Sequence, residues 1–423
     1  MSGTCTRKGT REGRLSLLRF LMLSLLTALA VGACSGGQGA PPKGGGPDSL
    51  PRALALGLAL FEKSPEGKQV PQPATAVFLV FEGGSWQVRR LVDEDSNVFH
   101  KVMEYSPAPG EDGILTLGGT AALVRLWPKG AEARTLWEAD FGGKFSRMRD
   151  GEVADVYGSG ALDIVVATHD QGVVAVVRPD GERGFSVEEL DREPNTFVHE
   201  VEVGDLDGDG TLEIYATPSL PNKLDGTPQP GEVVRYVPAL GKGREVVAAL
   251  GDRHAKEILV DDLDGDGRDE LYVAVEAVSG GRVEVRRYEA DTPPDGGVTI
   301  ATLDDKLCRV LVSGDVEGDG RKEIVAAGFK SGLWLLSPGP GPGDPWTVVS
   351  IDRDSSGFEH AALLADLDGD GADELYAASD DDKEVRRYVW KEGAPVREVL
   401  YAHPEGMSGF TWNITAVPAA LVP

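Results

Sequence analysis

DLDGDGTLE, from Asp205 to Glu213, is an acidic loop with carboxylates at its first, third, fifth and ninth positions. It returns as DLDGDGRDE from Asp262, DVEGDGRKE from Asp315 and DLDGDGADE from Asp366, with an eroded copy, DVYGSGALD, from Asp155. The starts are 50, 57, 53 and 51 residues apart. Steps this even mark one supersecondary unit repeated along the chain.

Each loop has the same neighbours. An alternating apolar run precedes it, as in VHEVEVGD (Val198 to Asp205), and a short β-rich run follows, as in EIYAT or ELYVAV. Two further alternating runs complete the unit, such as VEVRRY (Val283 to Tyr288) and WTVVSI (Trp346 to Ile351). Four short strands in about 50 residues predict a propeller blade. The phase before the first strand recurs at Asn97, Gly143, Asn195, Gly251, Asp305, Ser356 and Ser408, which encloses six complete units. The seventh has to be assembled from both ends of the chain. FTWNITAV (Phe410 to Val417) supplies its innermost strand, and TAVFLVF (Thr75 to Phe81) and SWQVRRLV (Ser85 to Val92) supply outer ones. ALALGLALF (Ala53 to Phe61) reads as the missing strand or as a short helix. The expected fold is all-β: a seven-bladed β-propeller of four-stranded blades over residues 50–423. Strands from both termini close the ring and remove the exposed sheet edges.

The loops carry chemistry. Calcium takes six to eight oxygens, and carboxylates at positions 1, 3 and 5 of a glycine-rich turn point oxygens inward. The expected ligands are Asp205, Asp207, Asp209, Thr211 (carbonyl) and Glu213, then Asp262, Asp264, Asp266, Arg268 (carbonyl) and Glu270. In the next two loops they are Asp315, Glu317, Asp319, Arg321 (carbonyl) and Glu323, and Asp366, Asp368, Asp370, Ala372 (carbonyl) and Glu374. About four calcium ions are expected, with the extra methylene of Glu317 weakening one site. None is expected at Asp155, where Tyr157 and Ser159 replace two carboxylates. An EF-hand is excluded, since position 12 is Ala216, Val273, Ala326 or Ala377 and the flanks are strands.

The pattern D-x-D-G-D-G-x-x-[DE]-[IL] between strands, at this period, resembles the FG-GAP/VCBS repeat of integrin-α-like β-propellers, over residues 97–417 or so. The resemblance implies that the calcium loops join first and second strands on one face, with ligands often held on the other.

The 69 acidic and 42 basic residues give a formal charge of −27, which argues against a nucleic-acid partner. Three cysteines cannot frame the fold with disulfides, and Cys308 is expected to be a buried apolar side chain. Residues 1–33 read as a signal peptide: five basic residues, an apolar core from Leu23 to Val31, then VGAC. That ending resembles a bacterial lipoprotein signal, which implies lipidation of Cys34 and a place in the cell envelope, at the outer membrane or surface. Residues 34–49 have the composition of a flexible tether. Cleavage before Cys34 takes the charge to −31.

In so acidic a chain, cations recurring at one phase are unexpected. Lys101, Arg147, His199, Lys256, Arg309 and His360, followed by Trp412, fall where the first strand begins, near the axis of the face opposite the loops. They read as a mouth for an anionic ligand, or as structural charge balance; a multi-histidine metal centre is a third reading. No G-x-S-x-G elbow, H-E-x-x-H pair or phosphate-cradling lysine loop appears. The expected function is a monomeric calcium-stabilised binding or adhesion propeller, tethered to the envelope and recognising a glycan or a protein. A lyase or hydrolase acting on acidic polysaccharide, and a structural assembly protein, are the alternatives.

Overall fold

A computed structural model describes residues 52–423, apart from 120–121, 143–145, 170, 182–183, 221–226, 342, 356, 358–360 and 405–407. The leader, Cys34, the tether and His360 therefore lie outside the described residues. The described strands form seven antiparallel sheets, six of them the four-stranded meander expected of a blade. Blade 7 has four such strands and a short fifth, Gln69–Pro71, paired with the end of Arg52–Lys63. The inner strands of blades 1 to 7 are Phe99–Tyr105, Met148–Ala154, Phe197–Gly204, Ala255–Asp261, Cys308–Gly314, Ala362–Ala365 and Ser408–Pro418. Each packs beside the next and the seventh beside the first, so the ring is closed.

The strand reading of residues 53–61 holds. Arg52–Lys63 is the second strand of blade 7, hydrogen-bonded between Ala74–Glu82 and the C-terminal inner strand. Its two faces explain its composition. Leu54, Leu56, Leu58 and Leu60 pack into blade 6, whereas Ala53 and Ala55 pack against blade 1. Gly57 lies on the second, tighter side, where a Cβ would stand 2.8 Å from the carbonyl oxygen of Phe99. Large residues on one side and small ones on the other are what a strand wedged between unequal neighbours requires.

There is no single core. The buried apolar residues fall into seven clusters, each shared by two adjacent blades. Stability therefore accumulates between neighbours, as in other repeat architectures. Cys308 sits in the cluster between blades 4 and 5, where burial pushes its thiol well above the usual range.

Candidate metal loops and axial binding site

The acidic loops join first to second strands, so they share one face. In each, the position-1 aspartate organises the turn by accepting backbone N–H groups. Asp205 accepts from Asp209 (3.0 Å) and Gly210 (2.7 Å), and Asp315 accepts from Asp319 (3.0 Å) and Gly320 (2.7 Å). Position 5 closes the turn by accepting the N–H of Thr211, Arg268, Arg321 or Ala372. Gly208 and Gly210 adopt φ of 69° and 85°, which side chains resist. The eroded loop keeps the same turn, with Asp155 accepting from Ser159 (2.7 Å) and Gly160 (2.6 Å). One aspartate and two glycines thus suffice for the turn's hydrogen bonds even where Tyr157 and Ser159 replace two carboxylates.

Three loops go further. Asp205, Asp207 and Asp209 offer oxygens within 4.8 Å of one another, as do Asp262, Asp264 and Asp266, and Asp366, Asp368 and Asp370. Such all-oxygen triplets suit a hard divalent cation rather than zinc. The loop at Asp315 is not among these groups, in keeping with the longer Glu317 at position 3. The position-9 glutamates stand outside these triplets, buried at the start of the second strands, although Glu374 reaches Asp368 of its own loop. Glu213 accepts from Arg235 (2.7 Å), the hydroxyl of Tyr215 and the N–H of Leu206 (3.4 Å). Glu270 accepts from Arg287 (3.0 Å), Tyr272 (3.0 Å) and the N–H of Leu263 (3.2 Å). Burial pushes Glu270 and Glu323 up to about 7 and Glu374 to about 8. These side chains brace loop against strand.

The loops also couple the blades. Asp269, at position 8, accepts the N–H of Asp205 in the preceding blade (2.7 Å), and Asp373 does the same for Asp315 (2.8 Å). Gly204 and Gly314 precede those loops, and a Cβ on either would stand 2.7 or 2.6 Å from the incoming carboxylate. Where the preceding residue is Asp261, position 8 of the next loop is Lys322, and the two pair at 2.7 Å. Gly204→Ala is accordingly expected to cost about 1–3 kcal/mol, through overpacking against Asp269 and Val260. Chemical denaturation checks this, and an unchanged midpoint would contradict it.

At the other end of the inner strands lies the second cluster. In six blades the inner strand carries one extra residue at the same level, a β-bulge. The bulged residues are His100, Arg149, His199, Lys256, Arg309 and Trp412. A bulge re-aims its side chain and breaks the alternation of the strand, so Arg149, Lys256 and Arg309 recur at a single structural level with two histidines and a tryptophan. The next residue in several blades locks the ring. Asp150 accepts the N–H of Val201 (2.9 Å), Glu257 that of Leu311 (2.8 Å), and Asn413 that of Val102 (3.0 Å).

Two of the expected mouth residues are placed differently. Lys101 turns into the axis and pairs with Asp150 (2.9 Å) and Glu152 (3.0 Å), while His100 occupies the bulge. Arg147 stands before its strand, bridging Gly119, and Arg149 is the bulged residue. His199, Lys256, Arg309 and Trp412 hold the expected level. Beneath the bulges lies an acidic layer, Asp150, Glu152, Glu200, Glu202 and Glu257. Burial holds Glu200, Glu202 and Glu257 well above the carboxylate range, with mutual repulsion adding to it. Both layers border an axial cavity of about 60 Å³. Its sequence trace is the dipeptide series Arg149-Asp150, His199-Glu200 and Lys256-Glu257, a cation followed by an acid.

Residues 155–216 and 315–377 match the description FG-GAP-like repeat. The chain is a seven-bladed β-propeller that carries FG-GAP-like repeats. Among solved structures it is similar to a proposed 6-phosphogluconolactonase from Bacteroides fragilis (14% identity, TM-score 0.51, covering 86% of this chain and 98% of that one). A protein from Lactobacillus plantarum is also similar (9% identity, TM-score 0.52, covering 86% and 99%). At such identities the likeness concerns fold alone. No curated protein matches the chain.

At the mouth of this propeller, several of the bulged side chains pack together. The rings of His100 and Trp412 lie 4.7 Å apart, and the Arg149 guanidinium sits 5.1 Å from the Trp412 ring, within cation–π range. His169, from the turn after the second strand of blade 2, stacks on Phe197 at 4.4 Å and lies 5.0 Å from His199. Burial and the neighbouring cations hold His100, His169 and His199 well below the usual imidazole range. Glu276, which sequence reasoning missed, is buried near Lys256 and accepts from Arg309 and from His254 (2.8 Å).

Proposed function

We propose that this propeller is a calcium-stabilised binding module, tethered to a bacterial cell envelope through a lipidated Cys34, whose bulge mouth recognises a glycan or an envelope protein. The observation that carries the reading is the division of chemistry between the faces. Oxygen triplets suited to calcium lie on one, and six re-aimed side chains, four of them Arg, Lys or Trp, converge on the other. Three calcium ions fit, held by Asp205, Asp207 and Asp209, by Asp262, Asp264 and Asp266, and by Asp366, Asp368 and Asp370. Bound calcium would offset the repulsion among those carboxylates. A groove of about 400 Å³, lined by Thr196, Ser219, Arg244 and Leu250 among others, borders the same face. Lys256 donates to Ser219 and so links mouth to groove. A sugar ring fits such a volume, whereas the axial cavity takes only a small group.

The test is thermal melting of the purified protein in calcium against acidic and neutral glycans and candidate envelope proteins. A ligand that binds only the folded state raises the melting temperature. At least one such shift is expected, and a His199→Ala/Arg309→Ala variant should lose it. If no ligand of either kind gives a shift that depends on these residues, the mouth is charge balance and the reading fails. Turnover of a polyuronate that stops in His199→Ala would instead make the protein an enzyme. Metabolic labelling with a fatty acid, lost in Cys34→Ser, checks the anchor.

A further inference from the structure

The unpartnered atoms of His100 and Trp412 are informative because both are donors. Arg149 approaches Nδ1 of His100 at 3.4 Å, and a guanidinium can only donate. Nδ1 is therefore the acceptor, and the neutral ring carries its proton on Nε2. That Nε2 finds no acceptor among the described residues, although His100 is only 1% exposed. The neighbouring Trp412 offers Nε1–H, a group that only donates, and it too has no acceptor there. His199, 4% exposed, has neither ring nitrogen engaged among the described residues, so its neutral ring offers one more N–H beside one bare nitrogen. A buried donor left without an acceptor costs about 1–3 kcal/mol. Two such donors stand side by side on blades 1 and 7, with a third N–H on blade 3, and none has an acceptor among the described residues.

Resting on the reading of the mouth as the ligand face, we propose that it is an oxyanion site, taking a carboxylate or phosphate group of a larger ligand. The acceptor oxygens receive Nε2–H of His100, Nε1–H of Trp412 and one N–H of His199, with Arg149 beside them. Size limits what enters. The axial cavity of about 60 Å³ is bordered at this level by Arg149, Arg309 and Trp412 and below by Asp150, Glu200, Glu202 and Glu257, so it takes a small acid group only at its upper end. The body of the ligand lies outside, over the mouth. A cation is disfavoured, since Arg149, Lys256 and Arg309 all act electrostatically on His169 and His199. The acidic layer beneath sets the depth. Lys101 lies within it, and Asp150 and Glu257 are fixed by backbone N–H groups, so an anion stops at the bulge level.

The test reads the Trp412 indole N–H by NMR in the purified full-length protein with calcium, its signal assigned by loss in Trp412→Phe. Sodium glucuronate and sodium phosphate are titrated at matched ionic strength, with glucose as the neutral control. A saturable downfield shift with at least one anion, and none with glucose, is expected. A response to glucuronate alone identifies a carboxylate ligand, and a response to phosphate alone a phosphorylated one. His100→Phe keeps the ring and removes the donor, so it should weaken binding about tenfold or more with the melting temperature unchanged. No saturable shift with either anion overturns the proposal, as would equal affinity in His100→Phe. If a neutral glycan raises the melting temperature through His199 while neither anion moves the signal, the oxyanion site is wrong and the binding module stands.

Discussion

A chain ending at His403 is expected not to form a stable monomer. The strand thereby removed, Ser408–Pro418, pairs with Arg52–Phe61 through ten residue pairs and supplies the inner edge of blade 7. Its loss would bare a long apolar strand, Leu54 to Leu60, whose unpaired N–H and C=O groups would invite another chain. It would also break the contact with blade 1, because Asn413 accepts the N–H of Val102 and Thr415 donates to its carbonyl (2.7 Å). Buried Ile414 and Val417 add about 1.5–3 kcal/mol each. Gel filtration and circular dichroism are the measurements, with aggregation or loss of cooperative melting expected. A monomer melting within a few degrees of the intact chain would show that the ring does not need closing. The subtler Asn413→Ala, which leaves the Val102 N–H without its acceptor, should cost about 1–3 kcal/mol.

Removing calcium should weaken the protein without unfolding it. Each site at a hundredfold excess of calcium over its dissociation constant contributes about 2.7 kcal/mol, so three sites shift the melting temperature by roughly ten degrees in a chain of this size. The fold should survive in chelator because the Asp155 loop holds its turn with no carboxylate triplet. Calorimetry should count three ions. Asp207→Asn keeps an oxygen acceptor but removes a ligand charge, and should reduce the count to two. Glu317→Asp should raise it to four, since Asp315 and Asp319 already form the turn around the missing shorter carboxylate. A count that ignores both substitutions, or a melting temperature indifferent to chelator, would remove calcium from the loops.

These outcomes bear unequally on what could be read beforehand. Blade number, loop chemistry and ring closure were legible because each rests on local rules. Strand alternation has period two, Asp and Gly at fixed offsets make one kind of turn, and a lone FTWNITAV strand must find the edge of blade 7. The pairing of Gly204 with Asp269, Gly314 with Asp373 and Asp261 with Lys322 was not legible, because it joins residues more than fifty positions apart. The position-9 glutamates look like ligands by spacing, and only their burial beside Arg235, Arg287 and the tyrosines gives them their bracing contacts.

The mouth shows the division most clearly. The sequence by itself determined a seven-fold repeat, the loops that suit calcium, and an excess of cations at the start of the inner strands. Only the tertiary structure decided which of those side chains meet. A bulge is defined by two residues on one strand facing one on the next, so it is a property of the pair of strands. It moved the converging positions from Lys101 to His100 and from Arg147 to Arg149, and left the N–H groups of His100 and Trp412 side by side with no acceptor among the described residues.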